Sequence, residues 1–310
     1  MASAARSFHQ KGNPLVSARE LENRFLGTLL GLAIGDALGM PVSDLPVEQT
    51  RERYGEIRDY LPRDPGTDEH IPAGEITDET ETVLCIVESM TMSNGQVDAE
   101  NIAARLRYLI EGPSRHWMPE DIRSRIEGAS LDDGLVPESA EEGGTLAVAV
   151  RGVPIGLMHS VGAFDRAALV DEVNLVTRLS HGGASQRQLV LDVALAVMNL
   201  IRDEQVAAFD LEDDTTSVAE QRAVISDLLA AVRSGTPFQE VVLGAVNRFR
   251  PADSAGAIAG ALAGAAVGAA SIPQPLIDGL EARVYLSLAA PWFYRTATRR
   301  AGTLIDLRQV

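Results

Sequence analysis

Apolar positions in this chain recur every three to four residues rather than every two, and that period predicts helices. Between Arg19 and Leu38, Phe25, Leu29, Leu32 and Ala33 fall on one side. Thr77 to Met92 carries Val83, Leu84, Ile86, Val87 and Met90. Asp98 stands as an N-cap ahead of Ile102, Leu106, Leu109 and Ile110, and Gly112 ends that segment. Further helices are expected from near Asp165 to before His181, from Ser185 to Ile201, from Ser217 to Val232, from Phe238 to Phe249 and from Pro275 to Leu288. No alternating run is long enough for a large sheet, so the expected fold class is all-α. Residues 41–75 and 111–144 are rich in Pro, Gly and charge and read as long loops, a length often tied to function. No linker separates two cores. One helical domain is expected over 19–310, after a flexible segment at 1–18.

Two ladders of glycine change this picture. Gly27, Gly31, Gly35 and Gly39 are spaced by four, as are Gly256, Gly260, Gly264 and Gly268. Four residues advance about 400 degrees around a helix, so each ladder forms a narrow, slowly drifting ridge. A helical glycine costs about 1 kcal/mol relative to alanine, and close packing against another helix offsets that loss. Two central helices, in mutual contact, are therefore expected. The apolar stretch Gly256 to Ile272 reads as a buried helix, being too short and too rich in Gly and Ala for a membrane span. Neither ladder has the spacing of a phosphate-binding glycine loop.

The 310 residues are 45% hydrophobic, enough for a substantial core. Lys and Arg total 27 against 44 Asp and Glu, a formal net charge of −17. Such a field disfavours nucleic acid and anionic membranes as partners, without excluding a phosphate-bearing ligand held locally. Cys85, the single cysteine, lies in an apolar helical pattern and reads as a buried structural thiol. The stretch from Met1 to Arg19 lacks the apolar core of a signal peptide, and a cytoplasmic location is expected. The chain is expected to act as a monomer or a small homo-oligomer.

Acidic residues sit beside both ladders: Asp36 in GLAIGDALG and Asp253 in PADSAGAIAG. Such placement is costly without a cation, helix amides or an arginine to compensate. A third acidic motif is GEITDETE, Gly74 to Glu81. Thr77 serves there as an N-cap, Thr80 as the third helical residue, and Asp78 and Glu79 complement the helix dipole. Together with Asp253, these side chains also offer the hard oxygens that Mg²⁺ prefers. Zinc is disfavoured, because one thiol and five scattered histidines give no ligand spacing. His181, in HGGASQ with Gly182, either contacts a phosphate or ribose or caps the preceding helix. Arg151 either pairs with a buried acid or holds a ligand phosphate.

The combination resembles the ADP-ribosylglycohydrolase family. GTLLGLAIGDALGMPV (Gly27 to Val42), GEITDETETVL (Gly74 to Leu84), AVRGVPIGL (Ala149 to Leu157), SHGGAS (Ser180 to Ser185) and ADSAGAIAGALAGAAVG (Ala252 to Gly268) match its signatures in family order. The resemblance implies a compact helical fold and hydrolysis of an N- or O-glycosidic bond to ADP-ribose, releasing ADP-ribose from a modified acceptor. It implies one or two Mg²⁺ or Mn²⁺ ions, with Thr77, Asp78, Glu79, Asp253 and Ser254 as metal ligands. Catalytic roles fall to Glu79, Asp78 and Asp44. Asp36, Ser43, Arg151, His181 and Gly182 would bind substrate. Five positions depart from the family pattern: Pro251 replaces the first Asp of the final D-x-D-T motif, Glu79 the second Asp of TDDT, Ser43 an acid, and Leu146-Ala147 an Asn-Gly. Pro251 counts against a second ion. The departures keep open an alternative, a non-catalytic ADP-ribose or nucleotide-binding protein that retains the pocket.

Overall fold

The computed structural model describes residues 17–302 except 68–69, 113–117, 119, 129–133, 138–144, 203–205 and 212–215. The flexible segment expected at 1–18 thus lies almost wholly outside the described residues, as does the end of the domain expected to run to 310. The first glycine-bearing helix forms as α1 (Ala18–Gly39), started by the Ser17 side chain, which accepts the Glu20 N–H. It is followed by α2 (Val47–Tyr54), α3 (Asp78–Met92), α4 (Ala99–Glu111), α5 (Glu120–Glu127), α6 (Leu146–Ala149) and α7 (Gly152–His159). The second half holds α8 (Arg166–Thr177), α9 (Ala184–Arg202), α10 (Ala219–Arg233), α11 (Phe238–Arg248), α12 (Ala252–Val267), α13 (Gln274–Asp278) and α14 (Arg283–Arg300). Among the described residues there is no strand, only an isolated bridge between Arg63 and Ile71. The all-α expectation holds. So do the caps: Asp98 accepts the Asn101 N–H at 3.0 Å, and Asp165 accepts those of Ala167 and Ala168.

The ladders meet. A Cβ built on Gly31 would lie 2.1 Å from the Gly260 carbonyl oxygen, on Gly35 1.8 Å from that of Gly256, and on Gly264 1.9 Å from that of Gly27. Backbone therefore touches backbone along the α1–α12 seam, and no side chain fits between. The pairing runs antiparallel, since Gly39 closes on Ala252 and Gly27 on Gly264. Gly268 departs from the expectation. It ends α12 at φ 73° instead of continuing the helical ridge, though its backbone still closes on Gly27, whose added Cβ would lie 2.6 Å from the Gly268 carbonyl carbon. By length and composition α1, with the turn after it, could cross a membrane, but here it is buried inside the protein. Gly152 and Gly156 of α7 make a similar close approach to α9, 2.2 Å from the Val190 oxygen and 2.5 Å from the Ala194 oxygen for an added Cβ.

Two expectations need correction. The stretches read as loops contain α2 and α5, both polar helices without a broad apolar stripe. The helix expected over Pro275 to Leu288 is two helices. Gly279 ends α13, where an added Cβ would meet the Tyr60 ring at 2.8 Å, and α14 runs on to Arg300 through Pro291. That proline reads as a breaker in sequence because it removes one backbone donor, and packing against α1, α3 and α7 carries the helix past it.

Overpacking a seam whose obstacle is backbone destabilises by about 1–3 kcal/mol or more. Gly31→Ala is thus expected to lower stability by at least about 2 kcal/mol in urea denaturation. Gly244→Ala is the control, because nothing lies within 4 Å of an added Cβ there. It is expected to stabilise α11 by about 0.5–1 kcal/mol through helix propensity. Equal effects of the two changes would contradict the tight seam.

Candidate active site

Antiparallel pairing puts the C-terminal end of α1 beside the N-terminal end of α12. Asp36 and Asp253 are thereby brought to one end of the seam, and α3 begins there too. Asp36 is fully buried and serves as the cap of α3 from outside that helix. Its carboxylate accepts the Thr77 N–H at 2.9 Å, the Thr77 hydroxyl at 2.6 Å, the Thr80 N–H at 3.3 Å and the Thr80 hydroxyl at 2.5 Å. Thr77 occupies the N-cap position as expected, yet its side chain makes no capping bond to its own helix. The substrate-binding role expected of Asp36 competes with this structural one, which uses both of its oxygens.

Glu79 links α3 to α12. One oxygen accepts the Ser254 hydroxyl at 2.6 Å, and the other lies 2.6 Å from the Thr77 hydroxyl. A threonine hydroxyl carries one proton and cannot donate to both Asp36 and Glu79. In this arrangement one of those carboxyls is protonated. Asp36 faces three further donors, so Glu79 is the better residence for the proton.

Asp253 accepts the Ser254 N–H at 2.7 Å and a hydrogen bond from the Ser43 hydroxyl. Asp78 stands first in α3. These two acids retain a sliver of exposure, 8% for Asp78 and 9% for Asp253, while Asp36 has none. All four acids have raised pKa values. Burial leads in each case. It lifts Asp36 to about 7 against the hydrogen bonds of Thr77 and Thr80, and with the charge of Glu79 it lifts Asp253 to about 7. Asp78 goes well above the usual carboxylate range through burial and then the charges of Glu79, Asp253 and Asp36. Glu79 is raised by burial and the charge of Asp36, opposed by Ser254 and Thr77. The acids from the two ends of the chain therefore sit within reach of one another's fields.

Arg151 is the buried cation beside this cluster. It caps the far end of α8, donating to the carbonyls of Val176 at 3.1 Å and Thr177 at 3.3 Å, and to the Ser180 hydroxyl at 2.6 Å. Burial lowers its pKa to about 10 against the opposing charge of Asp78. Its Nε–H is buried without a hydrogen-bond partner among the described residues. His181 joins through Nδ1, 2.8 Å from the Ser180 hydroxyl, and Gly182 is buried in the same turn. Arg151 and the His181 backbone N–H both satisfy carbonyls at the end of α8. Asp44 lies outside the buried group, although its charge still reaches Asp253 and helps to raise it. Its side chain is 74% exposed and pairs with Arg63 at 2.6 Å. Cys85 is buried, and burial pushes its thiol up to about 12, as a structural residue requires.

Among the described residues, no group of three or more His, Cys, Asp or Glu side chains is arranged to hold a metal ion. A cage of that kind does not fit. Mg²⁺ is commonly held by one or two carboxylates with water completing its shell, and Asp78 and Asp253, with the hydroxyl oxygens of Thr77 and Ser254, fit that donor chemistry. Pro251 offers no oxygen from its side chain and sits at the N-cap of α12. Thr80 and Ser180 lie inside the GEITDETE and SHGGAS motifs without a site role expected of them, and their bonds to Asp36 and Arg151 appear only when helices from elsewhere arrive.

Comparison with known proteins decides the family. The family model described as ADP-ribosylglycohydrolase matches residues 17–303. The chain belongs to this family. A protein of Archaeoglobus fulgidus, described as uncharacterized, is 30% identical over 90% of this chain and 98% of its own length. The uncharacterized protein YegU of Escherichia coli K12 is 28% identical over 63% of this chain and 59% of its own. A solved structure titled ADP-ribosylglycohydrolase-related protein complex superposes with a TM-score of 0.68 at 24% identity, covering 90% of this chain and 99% of that one, and so shares the fold. The general hydrolase reading of the chain draws its support from this membership.

A buried acid with a raised pKa keeps its proton to higher pH when folded than when unfolded. The folded chain then binds more protons from the ordinary 3.8 of Asp253 up to about 7, and stability falls as pH rises through that window. In chelator-treated protein, Asp253→Asn is expected to raise Tm above the wild type at about pH 7.5 and not at about pH 4, because the amide mimics the protonated acid. A lower Tm for the variant at both pH values would contradict a buried carboxylate whose charge costs stability.

Proposed function

We propose that this protein hydrolyses an N- or O-glycosidic bond at the anomeric carbon of ADP-ribose and releases ADP-ribose from a modified acceptor. One observation carries the reading. Asp78 at the start of α3 and Asp253 at the start of α12 come together, each all but buried and each raised by the other's group of charges, while the nearby cations, Arg151 beside Asp78 and Arg250 beside Asp253, donate hydrogen bonds to backbone carbonyls. Two helix N-termini at one spot favour anionic ligand groups, and a divalent cation would let a diphosphate approach the carboxylates.

Asp78 and Asp253, with the oxygens of Thr77 and Ser254, would hold one Mg²⁺ or Mn²⁺. Bound there, the ion supplies polarisation of ribose hydroxyls or of water. Asp36 keeps the first turn of α3 in place, and Glu79 ties that turn to Ser254, so the two helix starts stay in register. Arg151 and His181, at the α8–α9 turn beside the acids, would orient the ligand. Asp44, at the rim next to Ser43, takes a proton from the attacking water. The water oxygen bonds the anomeric carbon, the bond to the acceptor breaks, and the proton leaves on the released acceptor.

The test is release of free ADP-ribose from arginine-, serine- and small-molecule-linked substrates in the presence of Mg²⁺. Turnover is expected on at least one of them, with Asp78→Asn lowering kcat/KM by about 10²-fold or more, the scale on which charge-positioning groups act. Asp44→Asn is expected to lower kcat while leaving ADP-ribose affinity unchanged. The second reading, a binding protein without turnover, is favoured by Pro251 and by the lack of a three-carboxylate cage. Tight ADP-ribose binding with no release from any substrate would replace the first reading by the second.

A further inference from the structure

One face of α14 is exposed and is patterned from end to end. Glu281 stands just before the helix. Val284, Tyr285, Leu288 and Trp292 follow at helical spacing, and Arg295 and Arg299 complete the same face. Val284 is 64% exposed, Leu288 65% and Trp292 56%, large values for apolar side chains on consecutive turns. The inner face of the helix is anchored by Leu286, Ala290, Phe293 and Tyr294, so the outer stripe is not needed by the core. Beside its first turn lies a groove of 660 Å³ between α3 and α4, lined by Leu84, Tyr108 and Tyr285 among others.

The order of the stripe is acid, apolar, base, and Glu281, Val284, Leu288, Trp292 and Arg295 read as their own complement when reversed, with Tyr285 and Arg299 outside that symmetry. Leu288 is seven residues from Glu281 and seven from Arg295. We propose that this face joins two copies of the chain, with α14 packed antiparallel against its twin about a two-fold axis at Leu288. Glu281 then meets the partner's Arg295, Val284 meets the partner's Trp292, and the indole closes over the groove. Isologous pairing of this kind uses one patch twice, and the opposed helix dipoles also favour it. Arg295 already lies over the Trp292 ring, 5.2 Å from its centroid, so cation and indole reach the interface as one unit. An unrelated partner gives no reason for charges placed symmetrically about the central leucine. The proposal is independent of the catalytic reading, since α14 supplies none of the acids or hydroxyls of the site.

Sedimentation equilibrium of the full chain tests it. A dimer is expected, and Leu288→Asp is expected to convert it to monomer with an unchanged circular dichroism spectrum. Glu281→Arg and Arg295→Glu are each expected to weaken association by about tenfold, because each places like charges opposite one another at two symmetric points. The double variant Glu281→Arg/Arg295→Glu is expected to restore it. A monomeric wild type overturns the proposal, as does a dimer indifferent to Leu288→Asp. Failure of the double variant to recover overturns the antiparallel register. Loss of dimer with no loss of ADP-ribose release leaves the proposed activity standing, so the two readings fail separately.

Discussion

Contact between the bare backbones of α1 and α12 is the constraint on which the rest of the molecule depends. Glycine at every fourth position lets two helices approach until a carbonyl of one rests on the Cα of the other. This geometry costs helix propensity and returns it as packing along both helices. It also fixes register. A slip of one or two residues would require a side chain to occupy space that backbone already fills, so the relative position of Asp36 and Asp253 is held to a rung of the ladder. The site lies at the end of the seam because both helices carry their acid there.

The acids illustrate how a fold can accumulate electrostatic cost for later use. Four buried carboxyls are held by hydroxyls, backbone N–H groups and a shared proton, with Arg151 as their neighbouring buried cation. Asp36 and Glu79 are consumed by structural bonds. Asp78 and Asp253 keep partial access and have the least reason, in purely structural terms, to be acidic. Stability lost at such positions is characteristic of functional sites, where a bound ligand or ion supplies what the protein lacks.

Much of the fold could be read in the sequence because its signals are local. The four-residue spacing of glycine announced the central pair, and Asp98 and Asp165 announced the helix starts they cap. The polar α2 escaped because VEQTRERY has no apolar stripe, although Pro46 before it and Gly55 after it punctuate it as a helix. The length of α14 escaped because Pro291 looks like an ending. Within the site, the acids and hydroxyls were visible as a set, but their division of labour was not. That Asp36 caps α3, that Arg151 caps α8 and that Asp44 faces solvent beside Arg63 all depend on elements far apart in the chain. No spacing rule reports contacts of that range.

Convergence of Asp78 and Asp253 on one cation is tested most directly by Mn²⁺ binding to the chelator-stripped chain, read by electron paramagnetic resonance. About one ion per chain is expected, competed by Mg²⁺ and lost in both Asp78→Asn and Asp253→Asn, as two shared carboxylate ligands require. Absence of binding, or binding that survives both substitutions, would contradict a cation site at the meeting of α3 and α12.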